Sequence, residues 1–170
     1  MALRSDWSAQ VCPIARSVDI LGDPWTVLIL REVFAGNRRF DGLRSELGIA
    51  DAVLTRRLGS LVDADLLARV AYAGTVRPRW EYRLTPTGEG TLPVLHALAR
   101  WGSSFTAAPD PGRIMTVRCA DCGTEAESAD WCRRCAAPLT RANTVWYRAR
   151  DPKTPVPLAE DPIPPEVVGT

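Results

Sequence analysis

Histidine and lysine are almost missing from this chain: His96 is the one histidine and Lys153 the one lysine. A single histidine rules out a catalytic pair built on two. No nucleophile with a partnering base, phosphate-cradling glycine loop or dinucleotide fingerprint stands elsewhere, so an enzyme is not expected. His96 has Leu92, Leu95 and Ala99 at helical spacing and reads as a packing or dimer-contact residue. No apolar run approaches the roughly 18 residues of a membrane helix. The stretch Met1–Trp7 lacks the apolar core of a secretory signal. Four of the five cysteines fall into two CxxC pairs rather than a scattered disulfide framework, which points to a reducing cytoplasm.

A chain of 170 residues, 46% hydrophobic and 24% charged, has room for one ordinary globular domain and a small appendage. The net charge is +1, but all except one of the 21 basic residues are arginine. Arginine's planar fork suits phosphates and guanine edges better than lysine does. A GC-rich coding sequence would also raise arginine, so charge permits nucleic-acid binding without requiring it. Asp151, Glu160, Asp161 and Glu166 make the end of the chain acidic and hide a more positive body.

From Cys12 to about Ala108 the chain is dense in apolar periodicity and capping signals. Asp23-Pro24 before Trp25–Leu30 is an N-cap with proline at the first helical position. Gly36-Asn37 stops that helix. Phe40, Leu43 and Leu47 space a short helix, and Gly48 permits a tight turn. From about Asp51, Leu54, Leu58, Leu61 and Val62 form the apolar stripe of a third helix. Short helix, glycine turn and longer helix are the layout of a helix-turn-helix. Two strands follow, Leu66–Tyr72 and Arg79–Leu84, the second alternating Trp80, Tyr82 and Leu84 with charged residues. The loop between them carries Arg77, and together they make a winged helix. Thr85-Pro86 then opens one more helix through Leu92, Leu95, Leu98, Ala99 and Trp101. Its apolar surface exceeds what a small core covers, which suits a dimer interface.

Ala107–Gly112 reads as a linker. Beyond it, Cys119/Cys122 and Cys132/Cys135 have the spacing of two metal knuckles, each turning a pair of thiolates toward one ion, with Gly123 easing the first turn. Four thiolates leave no open position, so one structural zinc per chain is expected, with Arg118, Arg133 and Arg134 offsetting its charge. Trp131 and Trp146 are expected in the core of this ribbon. The expected class is mainly α with a β-hairpin wing, plus a small zinc-ribbon β module. The divisions are 1–108 for DNA binding and dimerisation, 113–150 for the ribbon, and 151–170 for a proline-rich tail, extended or disordered.

The residues from Cys12-Pro13 through Gly22-Asp23-Pro24-Trp25-Thr26, Arg39-Phe40, Val53-Leu54-Thr55-Arg56-Arg57-Leu58, Glu81-Tyr82-Arg83-Leu84-Thr85 and Arg100-Trp101-Gly102 resemble the HxlR family of bacterial winged-helix regulators, relatives of the MarR group. The resemblance covers a little over half the chain. It implies a homodimer on palindromic double-stranded DNA, usually as a repressor. The chain departs from the family pattern at Ala52, where a basic residue is usual, and at Ala50, where serine is usual. Asp51 is left as the expected helix cap, close to DNA phosphate.

On a helical wheel Arg56 points away from the leucine stripe, with Thr55 and Arg57 to either side. Arg56 is the expected base-reading residue, and Thr55 and Arg57 are expected DNA-binding residues beside it. Arg38, Arg39, Arg44, Arg77 and Arg79 are expected at phosphates or the minor groove. Cys12 stands where a helix dipole favours a thiolate. Some members of the resembled family sense oxidants or electrophiles with a cysteine at this place; the other reading is a small buried apolar side chain. A small ligand at the dimer interface is the alternative effector. The rival to a DNA-binding regulator is an adaptor of the transcription machinery that docks protein through winged helix and ribbon.

Overall fold

Residues 6–72 and 79–158 are described by the structure, a computed structural model. Arg77 lies outside the described residues, as does the tail beyond position 158. Two compact units are present: residues up to Val33 with Asn37–Arg83, and Phe34–Gly36 with Leu84 onward.

In the first unit, helix α1 (Pro13–Leu21) begins at Pro13 with Cys12 as its extended N-cap residue. Helix α2 (Pro24–Phe34) starts where expected, the Asp23 carboxylate accepting the Trp25 N–H at 2.9 Å. Helix α3 (Phe40–Leu47) ends on Gly48 in the left-handed region, and α4 (Asp51–Asp63) follows three residues later. Strands β1 (Leu67–Tyr72) and β2 (Arg79–Leu84) pair as the wing. An isolated antiparallel bridge joins Arg39 to Glu81 beside β2. Ile29, Leu30, Val33, Leu43, Leu54, Leu58 and Leu61 are all buried, each contributing about 1.5–3 kcal/mol over exposure.

Ala50, not Asp51, occupies the α4 N-cap, with no side-chain cap; Asp51 is the first residue of the helix, where its charge still favours the helix dipole. The single helix expected after Thr85 is two. Helix α5 (Pro86–Glu89) is capped by the Thr85 hydroxyl, which accepts the Gly88 N–H at 3.0 Å. Helix α6 (Leu92–Phe105) then starts afresh. Pro93 has no N–H to offer the Glu89 carbonyl, so the first helix cannot run into the second.

The second unit joins α5 and α6 with a small ribbon. Strands β3 (Thr116–Cys119), β6 (Thr144–Arg148) and β7 (Asp151–Pro157) form an antiparallel sheet in the order β3-β6-β7, and β4 (Trp131–Cys132) pairs with β5 (Ala137–Pro138). Residues 151–157 are therefore a strand of the ribbon, and Leu158 after them is buried. Prolines 152, 155 and 157 fit because β7 is an edge strand, where one side needs no N–H. The boundary expected at 150/151 cuts through this sheet, and α6 groups with the ribbon rather than with the winged helix.

The link between α6 and the ribbon is polar and buried. Trp146, fully buried on β6, donates its indole N–H to His96 Nε2 at 2.9 Å. Nε2 is thereby the acceptor, so Nδ1 carries the proton and donates to the Ala129 carbonyl at 2.8 Å. Both ring nitrogens are satisfied by the neutral form, which makes His96 a packing residue and excludes a dimer contact. Phe34 stacks at a tilt on the same indole, centroids 5.9 Å apart. Arg141 pairs with Glu89 on α5.

Burial holds the His96 pKa below its ordinary 6.5, with the Ala129 hydrogen bond opposing in part. The unfolded chain takes up this proton near 6.5 and the folded chain resists it. His96 therefore contributes full stability above pH 6.5 and loses it as pH falls. Urea midpoints measured between pH 7.5 and 5 are expected to decline, and His96→Phe is expected to flatten that part of the decline.

Candidate DNA-reading face and metal centre

The α4 helix divides as its wheel requires. Leu54, Leu58 and Leu61 are buried, whereas Asp51, Ala52, Thr55, Arg56 and Gly59 are exposed. Among the described residues no side chain pairs with Arg56, so its guanidinium is available to a ligand. The other arginines are more committed. Arg57 pairs with Asp23, Arg39 with Glu81 at 3.2 Å, and Arg44 with Asp51 at 3.4 Å and Asp41 at 3.8 Å. Arg38 is half-buried, and the wing strand begins at the exposed Arg79. The Arg44 pairing also screens Asp51, the carboxylate that sequence alone set against DNA phosphate. None of these acidic partners was legible in the sequence, because each lies on a different element from its arginine or, like Asp41, is one of several carboxylates within reach.

Cys12 is exposed and in no disulfide. Exposed apolar residues repeat along α1 at Ile14 and Val18 and, in the second unit, along α6 at Val94, Leu98, Trp101 and Phe105. The spacing of three, four and seven places each set on one helix face.

In the second unit the four ribbon cysteines converge. All four sulfurs lie within 4.8 Å of one another and could hold a metal ion. Cys119 and Cys135 are 3.8 Å apart and Cys122 and Cys132 3.6 Å, and none is in a disulfide. The two knuckles share a backbone form: the residue after each second cysteine is left-handed, Gly123 at φ 70° and Ala136 at φ 51°. The Gly123 N–H closes the first turn on the Cys119 carbonyl at 2.8 Å.

The four thiols do not ionise alike. Burial raises Cys119. The Thr124 hydroxyl, with the Thr124 backbone, draws Cys122 down to about 6. The neighbouring Cys122 sulfur, with burial, pushes Cys135 up to about 12. Four thiolates this close repel one another unless a cation lies between them. Leu139 and Ala126 pack on the cluster. Trp146 is in the core as expected, but Trp131 is 44% exposed. Strand alternation explains it: Cys132 points to the cluster, so its neighbour points out. Of the arginines expected to offset the charge, Arg133 pairs with Glu127 at 3.0 Å and Arg118 lies over the Tyr147 ring at 5.0 Å. Arg134 is exposed.

Residues 20–110 match the model of the HxlR-like helix-turn-helix. The chain belongs to the HxlR-like helix-turn-helix family. It is 36% identical to an uncharacterised HTH-type transcriptional regulator of Mycobacterium tuberculosis over 132 residues, 78% of this chain and 82% of the relative. A stretch of that length in a 170-residue chain cannot end before Cys132, so the similarity runs past the winged helix into the cysteine module. An uncharacterised HTH-type regulator of Synechocystis is 38% identical over 99 residues, 58% of this chain and 73% of its own. Among solved structures, PA1607, described as a candidate transcription factor, superposes with a TM-score of 0.63 at 32% identity, covering 80% of this chain and 94% of its own. The redox regulator HypR in its reduced form superposes at 0.51 with 28% identity over 55% of this chain and 92% of its own. This HxlR-like chain is thus a transcriptional regulator with a helix-turn-helix DNA-binding fold. Among its described residues no helix is long and apolar enough to cross a membrane.

Ala136 holds a conformation that costs an L-residue roughly 1–2 kcal/mol and glycine little. Ala136→Gly is therefore expected to raise stability by up to about 1 kcal/mol once glycine's extra chain entropy is subtracted, read as the denaturant midpoint.

Proposed function

We propose that this HxlR-like protein is a cytoplasmic, homodimeric, sequence-specific DNA-binding regulator that acts as a repressor and carries one structural zinc ion per chain. The observation that carries the DNA-binding part is α4, with one face buried in leucine and Thr55 and Arg56 exposed on the other. Arg56 would take guanine O6 and N7 bidentately, worth about 1–3 kcal/mol of discrimination. Arg38, Arg39, Arg44, Arg77 and Arg79 would contact backbone phosphates, with Arg39 and Arg44 exchanging their carboxylate partners for DNA. The apolar faces of α1 and α6 support dimerisation. Two recognition helices spaced about 34 Å apart would then occupy successive major grooves of an inverted repeat and block transcription sterically.

Zinc fits the cysteine geometry. A tetrahedral ion with Zn–S bonds of about 2.3 Å sets its sulfurs about 3.8 Å apart; two pairs lie at 3.6 and 3.8 Å and all pairs within 4.8 Å. With four protein thiolates the ion would have no free position and would hold the ribbon together rather than act on a substrate. Cys12 is the proposed redox-sensing residue. Its exposure beside the apolar face of α1 and the likeness to the redox regulator HypR support that role.

A gel-shift titration against DNA upstream of the protein's own gene, with scrambled competitor, tests the function. A competitor-resistant shift is expected, and Arg56→Ala is expected to narrow the gap between operator and scrambled DNA by about tenfold or more. A shift abolished equally by scrambled DNA would favour the protein-docking adaptor. Metal analysis is expected to return one zinc per chain, and chelation is expected to lower the melting temperature. Unchanged melting after complete chelation would exclude a structural ion.

A further inference from the structure

Asp23 serves two elements at once. One carboxylate oxygen accepts the Trp25 N–H and caps α2, while the other pairs with the Arg57 guanidinium on α4. Both side chains are about three-quarters covered, and Arg57 Nε is fully buried. An arginine that reads a groove must extend from the protein body. Arg57 instead folds back on the start of α2, whereas Arg56, next to it, stays exposed. The corner that holds Asp23 is itself tight. The Gly22 N–H bonds to the Val18 carbonyl at 2.8 Å, and a Cβ at Gly22 would lie 2.4 Å from that oxygen. Asp23 is thus set at a fixed distance from the end of α1.

We propose that Arg57 is a positioning residue rather than a DNA contact. The Asp23–Arg57 pair fixes the rotation of α4 about its own axis, aims Arg56, and ties the recognition helix to the α1–α2 corner. The leucine stripe holds α4 on one flank, but three aliphatic side chains resist a small roll weakly. A charge pair on a second flank resists it directionally. The inference rests on the DNA-binding function proposed above.

The test is a double-mutant cycle in operator binding with Asp23→Asn and Arg57→Gln. Asparagine still caps a helix, so Asp23→Asn removes the charge pair and spares α2. Each single variant is expected to lose about tenfold in operator affinity, and the double variant no more than the weaker single. The slope of log affinity against log salt is expected to stay at the wild-type value in all three, because no phosphate contact is lost. Arg57→Gln lowering that slope by about one, with Asp23→Asn binding as wild type, would make Arg57 a phosphate contact and overturn the proposal. Additive losses would overturn it too. A wild-type protein that does not distinguish operator from scrambled DNA would remove the function and the aiming role together. The same cycle read by urea midpoints would then still decide whether the pair forms.

Discussion

Everything the winged helix can do with DNA depends on which side of α4 faces out, and that is settled by burying Leu54, Leu58 and Leu61. Rotating the helix by one residue, about 100°, would expose leucine and bury arginine. That exchange costs several kcal/mol per turn in apolar area and charge desolvation. The stripe therefore selects the presented residues before any DNA is present. Around it the remaining elements act as supports: Gly48 turns α3 into α4, the bridge between Arg39 and Glu81 seats the wing, and Asp23 holds the α2 start.

The cysteine module follows a different rule. It has little apolar substance of its own, with Leu139 and the sulfurs at its centre. What draws its loops together is convergence on one point. Electrostatics makes that point unfavourable for thiolates unless a cation shares it. The module is also joined to α6 through a buried ring. His96 receives a hydrogen bond from Trp146 and gives one to Ala129, so the segment between the two knuckles is fastened to the helix that carries the exposed Leu98, Trp101 and Phe105 face. A change in the knuckles and a change in that helix share this fastening.

Most of the winged helix was legible because its signals are local. Asp23-Pro24, Gly48, the α4 leucines and the alternation of β2 each act within a few residues, and the corresponding elements start or turn where those signals stand. Thr85-Pro86 begins a helix, but Pro93 prevents it from joining the next, a conflict visible in the sequence though easily overridden by the long apolar pattern. Trp131 faces outward because its strand neighbour Cys132 takes the inward direction. Residues 151–157 looked like a tail because proline suppresses strand signals, and only pairing with β6 gives them a sheet to join.

By itself, the sequence determined the helix-turn-helix, the position of Arg56 on its outer face and the grouping of four cysteines into two knuckles. These follow from periodicity, capping and spacing, which are properties of neighbouring residues. Tertiary structure alone decided the pairings between distant residues: Arg57 with Asp23, Arg44 with Asp51, His96 with Trp146 and Ala129, and β7 with β6. Ion pairs and buried hydrogen bonds carry no sequence periodicity. Any of many arginines could have met any of many carboxylates, and packing of the leucine core determines which ones come within reach.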